Sequence, residues 1–458
     1  MKLCIVNNYS FVLSTSKLSS LLISLRKDRI SAMGEKSGKY SLILNVIRGL
    51  FVGLVSGLVI MVFANTIHFM TELNQRYFFL FLLLPVGAVL IYYLYTLLGN
   101  NFKKATVFAI DQIHEQEDRK ESNLATAQRA ESVNPLMGLV GYVASSISHL
   151  LGASVGKEGV GVQLGLSVGS MLDKLEDRFC ALFHFKDVDS TAYYMMSGAA
   201  AAFGSLFGSP IAGALFGLQF ASPDIIRLDA IIPCLISSFS ATLVTIALGT
   251  HIMVIPEYEV LVFGISNLLY VSIFAVLIGL LVRVFCYSLA KFKELGAKCY
   301  GHLPRWVSSF VPALALMILM IILYFMKGDL RYNGLSTGLL YNSISGEMDW
   351  YAFIIKWILI LLSAQAGFIG GEVVPLLVVG GTFGYSFASI LSLPIPAFAS
   401  LGALAMLAGG TNLPIVCFAL GLELFHYDEP WLLFVACVIS YVASGRNGIY
   451  DHQRRILV

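Results

Sequence analysis

The stretch from Gly152 to Gly165, GASVGKEGVGVQLG, holds a single carboxylate, Glu158, among glycines and apolar residues. An ionisable group inside an apolar segment costs about 2.5 kcal/mol or more at mid-bilayer, so it marks a pathway or a partner. Gly152, Gly156, Gly159, Gly161 and Gly165 let the backbone turn tightly and direct unpaired N–H groups at an anion, as a helix N-terminus does. Helix is expected to continue over 162–172. A carboxylate in such a place can stand in for an anion and vacate the seat when it takes a proton. Glu158 would then couple proton binding to anion binding. Capping the start of a buried helix is the plainer role for the same residue, and the two are compatible.

A second glycine-rich helix start, GFIGGEVVPLLVVGGTFG, runs from Gly367 to Gly384. Gly370-Gly371-Glu372 reads as the counterpart of Gly156-Lys157-Glu158. Val373 and Val374 precede Pro375, which suits a first helical turn because the N–H it lacks has no helical partner there. Two such starts can converge on one anion. The pairing is part of a wider duplication. Gly198 precedes Pro210, and Gly402 precedes Pro414, by twelve residues, and each proline is followed seven residues later by Gly-Leu. Duplication with broken helices points to a repeat-built transporter whose site lies between the halves.

Other polar residues have competing readings. Thr106 either faces an ion path or bonds its own backbone. Tyr450 follows a glycine turn and either donates its hydroxyl to an anion or anchors at an interface. His149 reads as hydrogen-bonded within the bundle rather than as a ligand, and Glu423 first as a structural, hydrogen-bonded acid, with a place on a proton path as its alternative. Lys356, in the middle of an apolar run, must snorkel, pair or face a cavity. Two GxSxG matches, around Ser154 and Ser167, raise an intramembrane serine hydrolase as a second functional class. No HExxH accompanies them, and no His and Asp pair evidently with either serine. A structural membrane subunit without transport is a third class.

The elements that must position these groups are membrane helices. The chain has 458 residues, 57% hydrophobic and 13% charged, with a mean hydropathy of +0.79, far more apolar than a soluble protein of this size. Apolar stretches near 43–70, 77–98, 136–153, 188–220, 228–250, 260–290, 306–326, 351–366, 374–392, 397–425 and 430–443 are mostly of helix length, several broken by Gly or Pro. Gly53 and Gly57 have small-xxx-small spacing for close packing. Asp111-Gln112-Ile113-His114 is expected to lead into a charged loop in water that lasts to Glu131. Residues 1–40 read as a retained cytoplasmic tail. The net charge of +2 and the lack of a basic domain argue against nucleic acid as a partner. Seven cysteines without CxxC spacing look like core residues or lone thiols. No metal or other cofactor is implied.

Taken together, the motifs resemble those of the CLC chloride channel and transporter family over about residues 43–455. Gly156-Lys157-Glu158-Gly159 is similar to its G[K/R]EG gate, Gly371 to Pro375 to its second filter motif, and Tyr450 falls where its central tyrosine lies. Thr106 stands in place of the GSGIP serine, Val160 replaces a proline, and Gly371-Glu372-Val373-Val374-Pro375 stands for GIFAP. GKEGVGVQLG, GGEVVPL, DQIH and GGTNLPIVCFALGLELF resemble the bacterial fluoride/proton antiporter branch, and Phe220 occupies the place of the chloride antiporters' intracellular proton glutamate.

The resemblance implies an all-α CLC fold of two inverted helical repeats with broken, tilted helices, assembled as a homodimer in the lipid bilayer of the cell membrane with one pore per subunit. The first repeat would cover 41–224. The second, 225–458, would end in a helix carrying Tyr450, with no cytoplasmic CBS pair after it. It implies exchange of fluoride for protons, with Glu158 as gate and Thr106, Gly156, Lys157, Gly159, Val160, Val373, Val374 and Tyr450 binding the anion. Fluoride is small and tightly hydrated, so short, strong donors must replace its water. Chloride can use the same groups, which leaves a chloride-selective antiporter or voltage-gated channel as the alternative.

Overall fold

Long apolar runs punctuated by Gly and Pro fold here into helices of very unequal length. The computed structural model describes residues 9–122, 132–183, 191–255, 258–259, 261–427, 430–446 and 448–455; the side chains of 9–41, 117, 119–122, 181 and 183 lie outside the description. The chain divides into two units, 1–48 and 49–458. The helices are α1 (Tyr9–Arg76), α2 (Leu84–Leu98), α3 (Ala105–Ser122), α4 (Leu136–Leu150), α5 (Glu158–Phe183), α6 (Thr191–Phe207), α7 (Pro210–Gln219), α8 (Ile231–Ala247), α9 (Ile265–Tyr300), α10 (Val307–Lys327), α11 (Thr337–Ser345), α12 (Ala352–Ala366), α13 (Val373–Leu391), α14 (Ile395–Thr411), α15 (Pro414–Leu424) and α16 (Pro430–Ser444). Of the first unit only backbone is described up to residue 41, helical from Tyr9; residues 1–8 of the expected tail lie outside the described residues.

Six helical segments among the described residues are long and apolar enough to cross a membrane, from Leu42–Arg76 to Val373–Leu391. The protein is a multi-pass integral membrane protein. Burial separates the layers: Val373–Leu391 is 72% buried in the fold and Val307–Lys327 only 33%. The first is therefore a central element and the second a peripheral one. Gly53 and Gly57 do pack closely, since a Cβ at either would meet backbone of α8 near Ser237 and Ala241.

The core is built on two helix crossings of the same kind. At the crossing of α5 and α6, a Cβ on Gly165 would fall on the Gly198 carbonyl and one on Gly169 on the Tyr194 carbonyl. Where α13 crosses α14, Gly380 stands in the same way against the Gly402 carbonyl and Gly384 against that of Phe398. The glycines of α13 lie 215 residues beyond those of α5 (165 to 380, 169 to 384), and their partners 204 residues apart (198 to 402, 194 to 398). Small residues let membrane helices meet backbone to backbone, where packing rather than hydrophobicity drives association.

Two expectations change. The segment after His114 does not begin as loop, because α3 continues to Ser122; Gln, Glu, Arg and Lys are good helix formers, and charge alone does not end a helix. Residues 123–131, the rest of the expected loop, lie outside the described residues. Tyr450 is not on a helix, because α16 stops at Ser444 and Gly445 takes φ +76°, a left-handed turn that ends helices.

Glu423 is the hydrogen-bonded acid that its context suggested. From α15, its two carboxylate oxygens accept the N–H groups of Ile211 (2.9 Å) and Ala212 (2.8 Å), the orphan donors at the start of α7. Removing this cap with Glu423→Ala should destabilise the fold by about 1–3 kcal/mol, read as a lower thermal midpoint in detergent, with Glu423→Gln losing less. Equal midpoints for wild type and the alanine variant would contradict this assignment.

Candidate functional site

The centre of the molecule is an antiparallel β-bridge between Gly156 and Gly371. The Gly156 N–H donates to the Gly371 carbonyl at 2.7 Å, and the Gly371 N–H donates back to Gly156 at 2.6 Å. Each glycine lies just ahead of a helix, α5 beginning at Glu158 and α13 at Val373, so the bridge sets two helix N-termini side by side. Only glycines allow this approach: a Cβ on Gly371 would strike the Gly159 nitrogen, and one on Gly370 the side chain of Val155. The free N–H groups of both first turns then face one small region, where partial positive charge concentrates.

Glu158 sits in that region and is 1% exposed. Its carboxylate interacts with the backbone N–H groups of Lys157, just ahead of α5, of Glu158 from α5 and of Val374 from α13. Its Oε2 atom is buried without a hydrogen-bond partner. Glu158 and Val374 also line a cavity of about 410 Å³, with Lys157, Phe207, His251 and Ser336 on its walls. The Lys157 amine reaches the His251 carbonyl at 3.4 Å. Upstream, the Gly334 N–H donates to the Gly152 carbonyl (3.0 Å) and the Ser363 hydroxyl accepts from the Ser154 N–H (2.9 Å), which fixes the stretch that leads to Glu158.

The structure thus gathers Gly156, Lys157, Glu158, Gly159, Val373 and Val374 around one point, with Val160 fully buried in the first turn of α5. Tyr450 lies within electrostatic range of Glu158 and Glu372, and its ring packs edge-on to Phe216 at 6.2 Å. It does not line the cavity. Thr106 stands in the first turn of α3, half-buried, outside the contacts just described.

The pairing of Glu158 with Glu372 is off by one residue. Glu158 opens α5, whereas Glu372 precedes α13 at its N-cap, so the position equivalent to Glu158 is Val373. Glu372 does not line the cavity, and its electrostatic neighbours include Lys293, Cys286 and Asp451. The cavity-lining residues His251 and Ser336 carried no local signal, because both reach the site from loops far away in the chain.

Most of the remaining polar candidates find ordinary partners. Lys356 is fully buried, and its amine donates to the Gly334 carbonyl (2.7 Å) and the Ser336 hydroxyl (2.9 Å). His149 Nδ1 lies 2.8 Å from the Ser145 carbonyl, within its own helix. The Ser167 hydroxyl accepts the Gly138 N–H, and Ser154 Oγ is buried without a partner. Neither serine has a histidine within hydrogen-bonding distance among the described residues. Among those residues there is also no group of His, Cys, Asp and Glu side chains placed to hold a metal ion.

Comparison with known proteins identifies the family. Residues 87–445 match the family model described as voltage gated chloride channel. The chain belongs to the voltage-gated chloride channel (CLC) family. Its members are transport proteins of the membrane rather than enzymes. A "Chloride/fluoride channel protein" of Pseudomonas syringae pv. tomato is 31% identical over 88% of this chain and 84% of its own length. An "H(+)/Cl(-) exchange transporter" of Vibrio cholerae is 25% identical over 66% of this chain and 65% of its own. Among solved structures, a CLC-type fluoride/proton antiporter superposes with a TM-score of 0.80 at 24% identity, covering 91% of this chain and 98% of that one. A slow cyanobacterial Cl⁻/H⁺ antiporter gives 0.65 at 18% identity, covering 87% and 94%. The fold is the CLC fold.

The bridge makes a direct expectation. Gly371→Ala should cost about 1–3 kcal/mol through overpacking against backbone that cannot move aside, lowering the thermal midpoint and the yield of monodisperse protein. Gly338→Ala, where an added Cβ meets nothing within 4 Å, is the matched control and should behave as wild type.

Proposed function

We propose that this CLC protein exchanges fluoride for protons, with Glu158 as the proton-coupled gate. The observation that carries the reading is the position of the Glu158 carboxylate at the meeting point of two helix N-termini, held by N–H groups of α5 and α13 and bordering an open cavity. An anion and a carboxylate want the same donors. Protonation removes the charge that makes the carboxylate compete, so a bound proton releases the seat to an anion. The unpartnered Oε2 fits a group that leaves, because a buried acceptor without a partner is poorly anchored.

In this reading the amides of Gly156 to Val160 and of Val373 and Val374 supply the field, Lys157 draws anions into the cavity, Thr106 and Val373 line the filter, and Tyr450 caps the anion on the side away from the cavity. Glu372, in range of Tyr450 and Asp451, offers a second carboxylate on that side, where Phe220 has none to give. The protein would work as a homodimer with one pore per subunit, each subunit built from two inverted halves, 41–224 and 225–458, with 1–40 as a cytoplasmic tail. The two helix crossings, alike at fixed offsets, support such a duplication.

Fluoride is preferred over chloride because the Pseudomonas relative is named for both ions and the motifs GKEGVGVQLG and GGEVVPL resemble the fluoride branch. Chloride exchange is the second reading, favoured by the Vibrio relative's name. Purified protein in liposomes should release fluoride at least about tenfold faster than chloride, a difference of about 1.4 kcal/mol in selectivity. Equal or chloride-favouring release would replace the first reading by the second. Glu158→Gln, which cannot give up a proton, should abolish anion-driven proton movement while the protein remains folded. Proton pumping that persists in that variant would remove Glu158 from the gate.

A further inference from the structure

Past Tyr450 the described residues 451–455 fold back across the C-terminal ends of α7 and α14 and against the side of α3. Gln453 is at the centre of this clasp. Its Nε2 donates to the Phe220 carbonyl (2.9 Å) and the Thr411 carbonyl (3.2 Å), and its Oε1 accepts from the Asn412 side-chain amide (3.0 Å). Phe220 caps the C-terminus of α7, and Thr411 ends α14. Both carbonyls belong to the last turns that a helix leaves without a partner of its own. One side-chain amide therefore joins a helix end from each part of the chain.

Its neighbours pin the same segment from outside. The Ile449 N–H donates to the Gly410 carbonyl at 2.8 Å and the Arg454 N–H to the Ala221 carbonyl at 3.2 Å. His452 Nδ1 lies 2.9 Å from Asp111 Oδ1, and the Arg454 guanidinium binds Asp118 with both nitrogens, at 2.7 and 2.8 Å. Asp111 and Asp118 are on α3, the helix whose first turn holds Thr106. Ile449 to Arg454 thus ties Tyr450 to α3, α7 and α14 together, although Tyr450 itself stands on no helix.

We propose that Gln453 is the positioning residue for Tyr450, fixing the tyrosine hydroxyl against the ends of α7 and α14 so that it meets the transported anion together with the α3 terminus. This rests on the reading of Tyr450 as an anion donor. A polar amide is suited to the task because a helix C-terminus is partially negative, and two bare carbonyl ends beside the path would repel an anion. The Gln453 NH₂ group occupies both.

The test uses the full chain in liposomes, with fluoride efflux measured against internal fluoride concentration. Gln453→Leu should raise KM for fluoride by about tenfold, the effect of losing roughly 1.4 kcal/mol of placement, with the maximal rate kept within about twofold. Tyr450→Phe should raise KM similarly, and the double variant should add little, because residues acting as one unit are not additive. If Gln453→Leu does not fold, Asn412→Gly is the milder probe. Asn412 has φ +64°, which glycine accepts without strain, so the variant removes one of the three bonds and should raise KM in the same direction by a smaller factor. Unchanged KM in the clasp variants beside a shifted KM in Tyr450→Phe overturns the positioning role. Unchanged KM in Tyr450→Phe overturns the reading of the tyrosine instead. A clasp that served only to hold the fold would lower the thermal midpoint and the active fraction while leaving KM in place, and that result also overturns the proposal.

Discussion

Everything at the centre of this protein depends on two backbone segments touching with no side chain between them. The Gly156–Gly371 bridge is a single pair of hydrogen bonds, yet it decides which way two helices point their N-termini. In water such an arrangement would be weak, because exposed amides bind solvent as readily as solute. Within an apolar fold the same amides have few other partners, and an unmade hydrogen bond there is expensive. A site that attracts negative charge can therefore be built without placing a fixed cation at its heart. The nearest lysine, Lys157, lies at the cavity wall with its amine turned to the His251 carbonyl.

Chemistry that is written locally was legible in the chain. Glu158 announces itself because a carboxylate between glycines in an apolar run has few structural excuses, and helix ends follow from prolines such as Pro210 and Pro414, each of which opens a helix. Register was harder. Gly370-Gly371-Glu372 looks like a copy of Gly156-Lys157-Glu158, but the glycine that makes the bridge is Gly371 in one segment and Gly156 in the other, which moves Glu372 one step outside its apparent counterpart. Nothing in the residue types distinguishes those two alignments. What distinguishes them is a backbone contact across more than two hundred residues of chain. The helix expected at Tyr450 came from the family resemblance alone; Gly445, with its left-handed turn, ends α16 before it. The clasp around Gln453 left no trace at all, since a glutamine near a chain end is ordinary until the carbonyls it covers are known.

Three polar side chains show one economy. Lys356, fully buried, and Glu423 and Gln453, partly buried, differ in charge, yet each is satisfied chiefly by backbone, at a loop carbonyl, at helix N–H groups and at helix carbonyls respectively. Short and broken helices expose more unpaired backbone ends than long ones do. The same interruptions that make the chain look irregular also generate the donors and acceptors that let charged residues live inside it.

The glycine crossings of α5 with α6 and of α13 with α14 leave no soft layer between the helices they join. Rotating one helix past its neighbour would drive main chain into main chain, so these pairs resist the sliding that side-chain interfaces permit. A machine with so stiff a frame does its mechanical work with small parts. In the exchange proposed above, the part that has to move is one acid side chain and the ions that displace it, not a domain.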